Sequence, residues 1–248
     1  MNNRVYSKNN RIEILDVMRG ASMIFVVVYH LIYDLIYFVG INIPFFYSKT
    51  MNIIHIFFLI ILFTVSGIST TFSRNSLRRG VVLYLLGESI TLLTSIFMPD
   101  GIIVFGVISY IGMSMMLYEF LREVLDKISW KFVYIVSMML YFITYRFPQG
   151  ELNFLFYKMH IDLPTNLYYL YPIGIKAEGF MSTDYFPLIP FFFVFLGGTA
   201  LAKPIANNRF PKWFYNFKNS FLSIIGKRSL IIYVLHQPIF LGVIFLLT

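Results

Sequence analysis

Seven long apolar stretches, separated by polar segments that carry most of the basic residues, restrict this chain to a bundle of membrane-spanning helices. A helix needs about 20 predominantly apolar residues to cross a hydrocarbon core of about 30 Å. The stretches run over Val17–Phe38, Asn52–Phe72, Gly80–Met98, Ile102–Leu121, Trp130–Tyr145, Phe186–Ala202 and Ser229–Leu247. The fifth is short. The sixth carries Pro187 and Pro190 at its start and is expected to begin irregularly, because proline removes a backbone donor. The expected architecture is all-α, a polytopic bundle of about seven helices in a single domain spanning residues 1–248. With 58% hydrophobic and 13% charged residues, the chain has too little polar surface for a soluble domain of its size.

The basic residues then orient the bundle. Arg4, Lys8 and Arg11 precede the first stretch; Arg74, Arg78 and Arg79 follow the second; Arg122, Lys127 and Lys131 follow the fourth. Lys203, Arg209, Lys212, Lys218, Lys227 and Arg228 follow the sixth. The alternate connections are poor in bases, and the longest, 147–183, mixes Lys158 and Lys176 with Glu151, Asp162 and Glu178. Loops rich in Lys and Arg stay in the cytoplasm. The N-terminus is therefore expected inside and Thr248 outside, in the cytoplasmic (plasma) membrane. Against this pattern the net charge of +8 reads as topology and not as nucleic-acid binding. Met1–Arg11 is polar and basic, with no short apolar run and cleavage site behind it, so the first helix is expected to be retained. Within 147–183 the run Leu167–Pro172 is aromatic, which suits an interface or a lid.

Cysteine is absent, which removes thiolate nucleophiles, disulfides and cysteine-based metal sites. No His-Glu-x-x-His spacing, Walker motif or dinucleotide glycine motif is present, so no metal is expected. Attention falls on ionisable residues inside the apolar stretches, each costing about 2.5–3.5 kcal/mol to insert. The first stretch and its entry hold Asp16, Arg19, His30 and Asp34. At about 100° per residue, with Arg19 at zero, His30 falls near 20° and both aspartates near 60°, so all four share one face. At 1.5 Å per residue, His30 lies about 16 Å beyond Arg19. His30 and Asp34 are one turn apart, close enough for contact. A carboxylate there would fix the imidazole tautomer and stabilise an imidazolium. The alternative is a polar cluster that only holds helices together.

Other candidates are less concentrated. His236 in Tyr233–Pro238 either faces the same cavity or bonds a neighbouring helix. Glu88 is a buried counter-ion, a proton carrier or an arginine partner. His55 reads as interfacial and His160 as a surface residue. Arg74, Arg78, Arg79, Lys227 and Arg228 could hold donor phosphates, although positive-inside topology alone accounts for them.

The segment from Arg11 to Gly20, followed by Val26–Asp34, resembles the opening of the heparan-α-glucosaminide N-acetyltransferase catalytic-domain family, in its small prokaryotic branch. The spacing from Arg19 to His30 is also similar to that of integral-membrane sugar O-acyltransferases. Three further segments match in order: Phe63–Ser69 with Ser73 and Arg74, Asp184–Pro190 leading to Gly197, and Gly226–Pro238. The resemblance departs at Phe105–Gly112, where the family pattern carries a histidine near Ser109, and in having fewer helices. It implies transfer of an acetyl group from acetyl-CoA in the cytoplasm to an amine or hydroxyl of a sugar or glycan on the other side, by a monomer or a homodimer. It makes His30 the catalytic base or transient acyl acceptor, with Asp34 as its orienter and Arg19 as electrostatic support. Arg74 and Arg228 become donor-phosphate contacts, and Asp16, Glu88, Asp184 and His236 further site candidates. Two rivals follow from the residues alone: a proton-coupled transporter relaying through His30, Asp34 and Glu88, and a non-catalytic assembly subunit.

Overall fold

A computed structural model describes residues 12–154 and 157–247. Arg4, Lys8, Arg11 and Thr248, used above for orientation, lie outside the described residues. Each of the seven expected stretches contains a helix: α1 (Glu13–Val39), α2 (Lys49–Thr71), α3 (Ser76–Phe97), α4 (Val107–Lys127), α5 (Trp130–Thr144), α6 (Leu188–Ala206) and α9 (Ser229–Leu247). Four of them, α1, α2, α3 and α6, are long and apolar enough to cross a membrane. A fifth crossing is added if α9 counts as one span with the short helix before it, from which it is bent by 78°. The 15 residues of α5 rise only about 22 Å, and the last turns of α4 carry Glu119, Arg122, Glu123, Asp126 and Lys127. Helix is thus found in all seven stretches, and membrane-crossing length and apolarity in four or five places among the described residues.

The described chain falls into two compact units, with α2 divided between them at Val65 and Ser66. The first holds residues 66–207. Here α3 and α4 touch backbone to backbone, because Gly80, Gly87 and Gly112 leave no side chain between them. Met115, Tyr118, Phe195 and Leu196 form a core cluster between α4 and α6. The irregular start expected for α6 is found: Ile189 has non-helical φ −95°, ψ 119°. The carbonyl of Phe191 just beyond it accepts a hydrogen bond from the buried Tyr110 hydroxyl at 2.7 Å.

Two expectations need correction in this unit. The chain is mostly helical but not all-α. Glu151–Phe154 (β1) and Tyr157–His160 (β2) pair antiparallel, with Glu151 opposite His160 and Phe154 opposite Tyr157. Four-residue strands are too short to leave an alternation in the sequence. The start of α4 also lies later than the apolar stretch suggests. Residues 102–106 are non-helical, with a bend at 104–105 and Phe105 at φ 55°, and the segment 182–186 meets their hydrogen bonds: Thr183 N donates to Ile102 O at 3.0 Å, Val104 N to Ser182 Oγ at 2.9 Å, and Phe186 N to Phe105 O at 3.1 Å. The aromatic run of 167–172 lies largely in a 3-10 helix, Tyr168–Ile173, with Tyr168 and Tyr169 exposed. Burial holds the Tyr185 hydroxyl protonated beyond the ordinary tyrosine range, and it donates to Tyr171 O at 2.5 Å.

The second unit holds residues 12–65 and 208–247. It contains α1, the first part of α2, α9, and two helices absent from the sequence reading: α7 (Lys212–Asn216) and α8 (Ser220–Lys227). Asn219 starts α8, its side-chain oxygen accepting from Leu222 N at 3.1 Å. Asn219→Ala is expected to cost about 1 kcal/mol, as a lost N-cap does, and to lower the melting midpoint measurably. Antiparallel to α8 runs α1, at the closest possible approach. A Cβ on Gly20 would overlap Leu222 O, and one on Gly226 would overlap Asp16 O. About three to four turns further along α1, His30 and Asp34 face α9.

Candidate functional site

Asp16, Arg19, His30 and Asp34 of α1 resolve into two pairs with different neighbours. At the first turn, Asp16 and Arg19 bind each other, Nη1 to Oδ1 at 3.3 Å, beside the crossing with α8. Asp16 is buried there. Three to four turns further along, α9 supplies the partners. His30 Nδ1 lies 2.7 Å from His236 Nε2, and Gln237 Nε2 donates to Asp34 Oδ1 at 2.8 Å. The two imidazole planes are 15° apart, with centroids separated by 5.0 Å. One turn of α1 thus separates two side-chain bonds to adjacent residues of α9.

The hydrogen bonds fix the tautomers of the histidines. His236 Nδ1 lies 2.6 Å from Tyr233 O, and a carbonyl only accepts. His236 therefore carries its proton on Nδ1, which leaves Nε2 as an acceptor in the neutral ring. That Nε2 faces His30 Nδ1, so His30 donates from Nδ1 and keeps its lone pair on Nε2. The chain from Tyr233 O through His236 to His30 thus presents a neutral imidazole whose free nitrogen can take a proton or attack a carbonyl. The same chain steadies the positive charge that forms on His30 when it does.

The resemblance makes Asp34 the residue that orients His30. In the structure its bond goes to Gln237, and the orienting contact to His30 comes from His236. The i, i+4 spacing permits contact on a helix without requiring it, and the side chains of α9 offered both residues better-placed partners. Asp34 is fully buried. Its Oδ2 and Gln237 Oε1 are buried acceptors without a hydrogen-bond donor among the described residues.

The other candidates are dispersed. Glu88 accepts from Ser109 Oγ at 3.2 Å in the first unit, beside the Gly87 contact of α3 with α4. Asp184 Oδ2 accepts from Val107 N at 3.3 Å and so caps α4 from a distant loop. Its position at the start of α4 gives it a structural part. Arg74 is exposed in the turn between α2 and α3, in the first unit, with Arg78 and Arg79 nearby. Arg228 is exposed at the bend between α8 and α9, in the second unit. His55 stacks on Tyr29 at 4.2 Å, with Phe25 and Phe58 alongside, and His160 is exposed on β2. Among the described residues, no three histidine, aspartate or glutamate side chains converge as a metal site.

Gln237 and Tyr233 escaped the sequence reading as site residues. Both lie within the segment around His236, and their positions one and three residues from it were the available signal.

The comparisons bear on the same segments. The chain matches the family model described as heparan-alpha-glucosaminide N-acetyltransferase, catalytic, over residues 11–238. The match begins just before the Asp16–Arg19 pair and runs through His236 to Pro238. Among curated proteins none matches, and among solved structures none matches. The matched span takes in nearly the whole chain, including all four segments that carry the resemblance. The chain belongs to the heparan-alpha-glucosaminide N-acetyltransferase catalytic family, a family of membrane acyltransferases.

Proposed function

We propose that this protein transfers an acetyl group from cytoplasmic acetyl-CoA to an amine or hydroxyl of a sugar or glycan on the opposite side of the plasma membrane, which it crosses several times. The observation that carries this reading is the hydrogen-bonded chain from Tyr233 O through His236 to His30, which leaves a basic nitrogen on His30. The acceptor's oxygen or nitrogen attacks the thioester carbonyl and forms the new bond to carbon. Its proton passes to His30 Nε2, the carbon–sulfur bond breaks with its electrons on sulfur, and the imidazolium returns that proton to the thiolate. Arg19 lies about 16 Å from His30 along α1, and with Arg228 of the same unit it is assigned to the negatively charged donor. The basic clusters flanking the helices support a cytoplasmic donor side.

The test is calorimetric binding of acetyl-CoA to the protein in nanodiscs. His30→Ala is expected to bind as the wild type does. Arg228→Ala is expected to bind about tenfold more weakly, the effect of losing one charge-assisted contact of about 1.4 kcal/mol. Absence of acetyl-CoA binding to well-folded wild-type protein would refute the reading.

A further inference from the structure

We infer that the segment 209–227 is a binding surface for phospholipids with net negative headgroups in the cytoplasmic leaflet. This goes beyond the acyl-transfer reading and holds whether or not the chain transfers acetyl groups. The segment interleaves two kinds of exposed side chain. Arg209, Lys212, Lys218 and Lys227 are exposed bases, and Trp213, Phe217, Phe221 and Ile224 are exposed apolar residues among them. Both kinds are carried on fixed structure. The buried Phe214 ring anchors α7, lying 4.9 Å from the Phe210 ring between centroids, and Phe210 N donates to Tyr215 Oη at 3.3 Å. In α8, Ser223 and Gly226 are buried, with Gly226 against the backbone of α1. Phe221 and Ile224 lie on the opposite face of that helix and are left uncovered.

Two opposing costs place this segment at the bilayer surface. In water, four large apolar side chains would stand exposed together, a patch that favours contact with an apolar phase. In the hydrocarbon core, every base would be costly. At the headgroup boundary the rings enter the acyl region while the flexible bases reach outward. Helix geometry agrees. The eight residues of α8 rise only about 12 Å against a hydrocarbon core of about 30 Å, and α9 is bent away from α8 by 78°. Charge then selects the headgroup. No aspartate or glutamate follows Asp184 in the sequence, and among the described residues none of the four bases is paired with a carboxylate. A zwitterionic headgroup brings its own cation beside its phosphate, whereas a net negative one supplies the missing counter-charge. A second copy of the chain seated here would set the same bases against each other. Positive-inside topology accounts for bases on this side but not for the aromatic rings set among them. Because α8 packs directly on α1, a lipid held by α7 and α8 also stabilises this unit.

The experiment uses the full chain carrying Trp130→Phe, which leaves Trp213 as its one tryptophan. It is reconstituted in dioleoylphosphatidylcholine vesicles containing, at one small mole fraction, either dibrominated phosphatidylglycerol or dibrominated phosphatidylcholine. Bromine quenches tryptophan fluorescence on contact, so quenching reports which lipid lies against Trp213. Both lipids are expected to quench, with an apparent affinity about tenfold higher for phosphatidylglycerol that declines as sodium chloride is raised. Phosphatidylglycerol is also expected to raise the melting midpoint. Combining Arg209→Gln, Lys212→Gln and Lys218→Gln is expected to abolish the preference and the rise in midpoint, with quenching by phosphatidylcholine retained. If the triple variant does not fold, a partial loss of preference in Lys218→Gln alone decides. Equal quenching by the two lipids in the parent chain overturns the inference, as does a preference unchanged in the folded variants. Absence of quenching by either lipid overturns it too, and size exclusion then tells a water-exposed surface from one covered by a second copy. Displacement of phosphatidylglycerol by inorganic phosphate, beyond that caused by sodium chloride of equal ionic strength, overturns it in favour of a soluble phosphate ligand.

Discussion

His30→Ala is expected to lower kcat for acetyl transfer by about 10²–10⁴-fold, the range in which a general base contributes, with acetyl-CoA affinity retained. The same assay separates a catalytic from a packing role at His236. His236→Phe keeps a ring in the space between α1 and α9 but offers no acceptor to His30 Nδ1. His30 is then free to place its proton on either nitrogen, and the imidazolium loses the partner that shares its charge. A loss of about 10²–10³-fold is expected, equivalent to about 3–4 kcal/mol in the barrier. His236→Gln restores an oxygen near the position of Nε2, and that oxygen accepts from His30 Nδ1 as the imidazole did. It is expected to recover most of the activity. A residue that merely fills space would show the opposite order, since phenylalanine replaces an imidazole ring more faithfully than an amide does. Measured kcat values for the two variants, on protein with comparable melting midpoints, decide the matter. Phenylalanine outperforming glutamine would remove His236 from the mechanism.

What the sequence revealed about this site divides along the distance over which each relationship acts. That Asp16, Arg19, His30 and Asp34 share a face of α1 follows from helical rotation and needs only local geometry. Which residues bind His30 and Asp34 depends on a helix that enters the structure some 200 positions later, and nothing in α1 specifies it. The pairing of His30 with Asp34 was reasonable on spacing, yet the side chains of His236 and Gln237 took both partners. The long apolar helices were legible for the same local reason, whereas α8 was not. Its eight residues are too few for a periodic signal, and its place is fixed by contact with α1. The delayed start of α4 also has a distant cause, since Ser182 and Asp184 meet the backbone of residues 104 and 107. Asp184 looked like a site residue because it stands in a segment resembling a known family. One of its contacts is with a helix end, so a residue in such a segment can serve architecture as well as chemistry.

Gly226→Leu is expected to give the largest loss of folded protein of any single change at the α1–α8 crossing. The added carbon would meet the carbonyl of Asp16, and Gly20→Leu would meet that of Leu222. Both obstacles are backbone, so no rotamer change relieves them and the two helices must separate. Overpacking of a core costs about 1–3 kcal/mol when side chains can yield, and more is expected where they cannot. Separation would also withdraw the cover from the buried Asp16 carboxylate and from Val17, and an uncovered charge inside a bundle is costly. Small residues serve this purpose at helix contacts in membranes, where close backbone approach takes the place of hydrophobic exclusion of water. Gly242 supplies the control. It stands in α9 with nothing within 4 Å of an added Cβ, so Gly242→Ala is expected to be tolerated or to stabilise the helix by up to about 1 kcal/mol. Monodisperse yield on size exclusion and the melting midpoint are the readouts. Should Gly226→Leu purify and melt like Gly242→Ala, the α1–α8 contact does not hold this unit together. The placement of Asp16 and Arg19 would then need another cause.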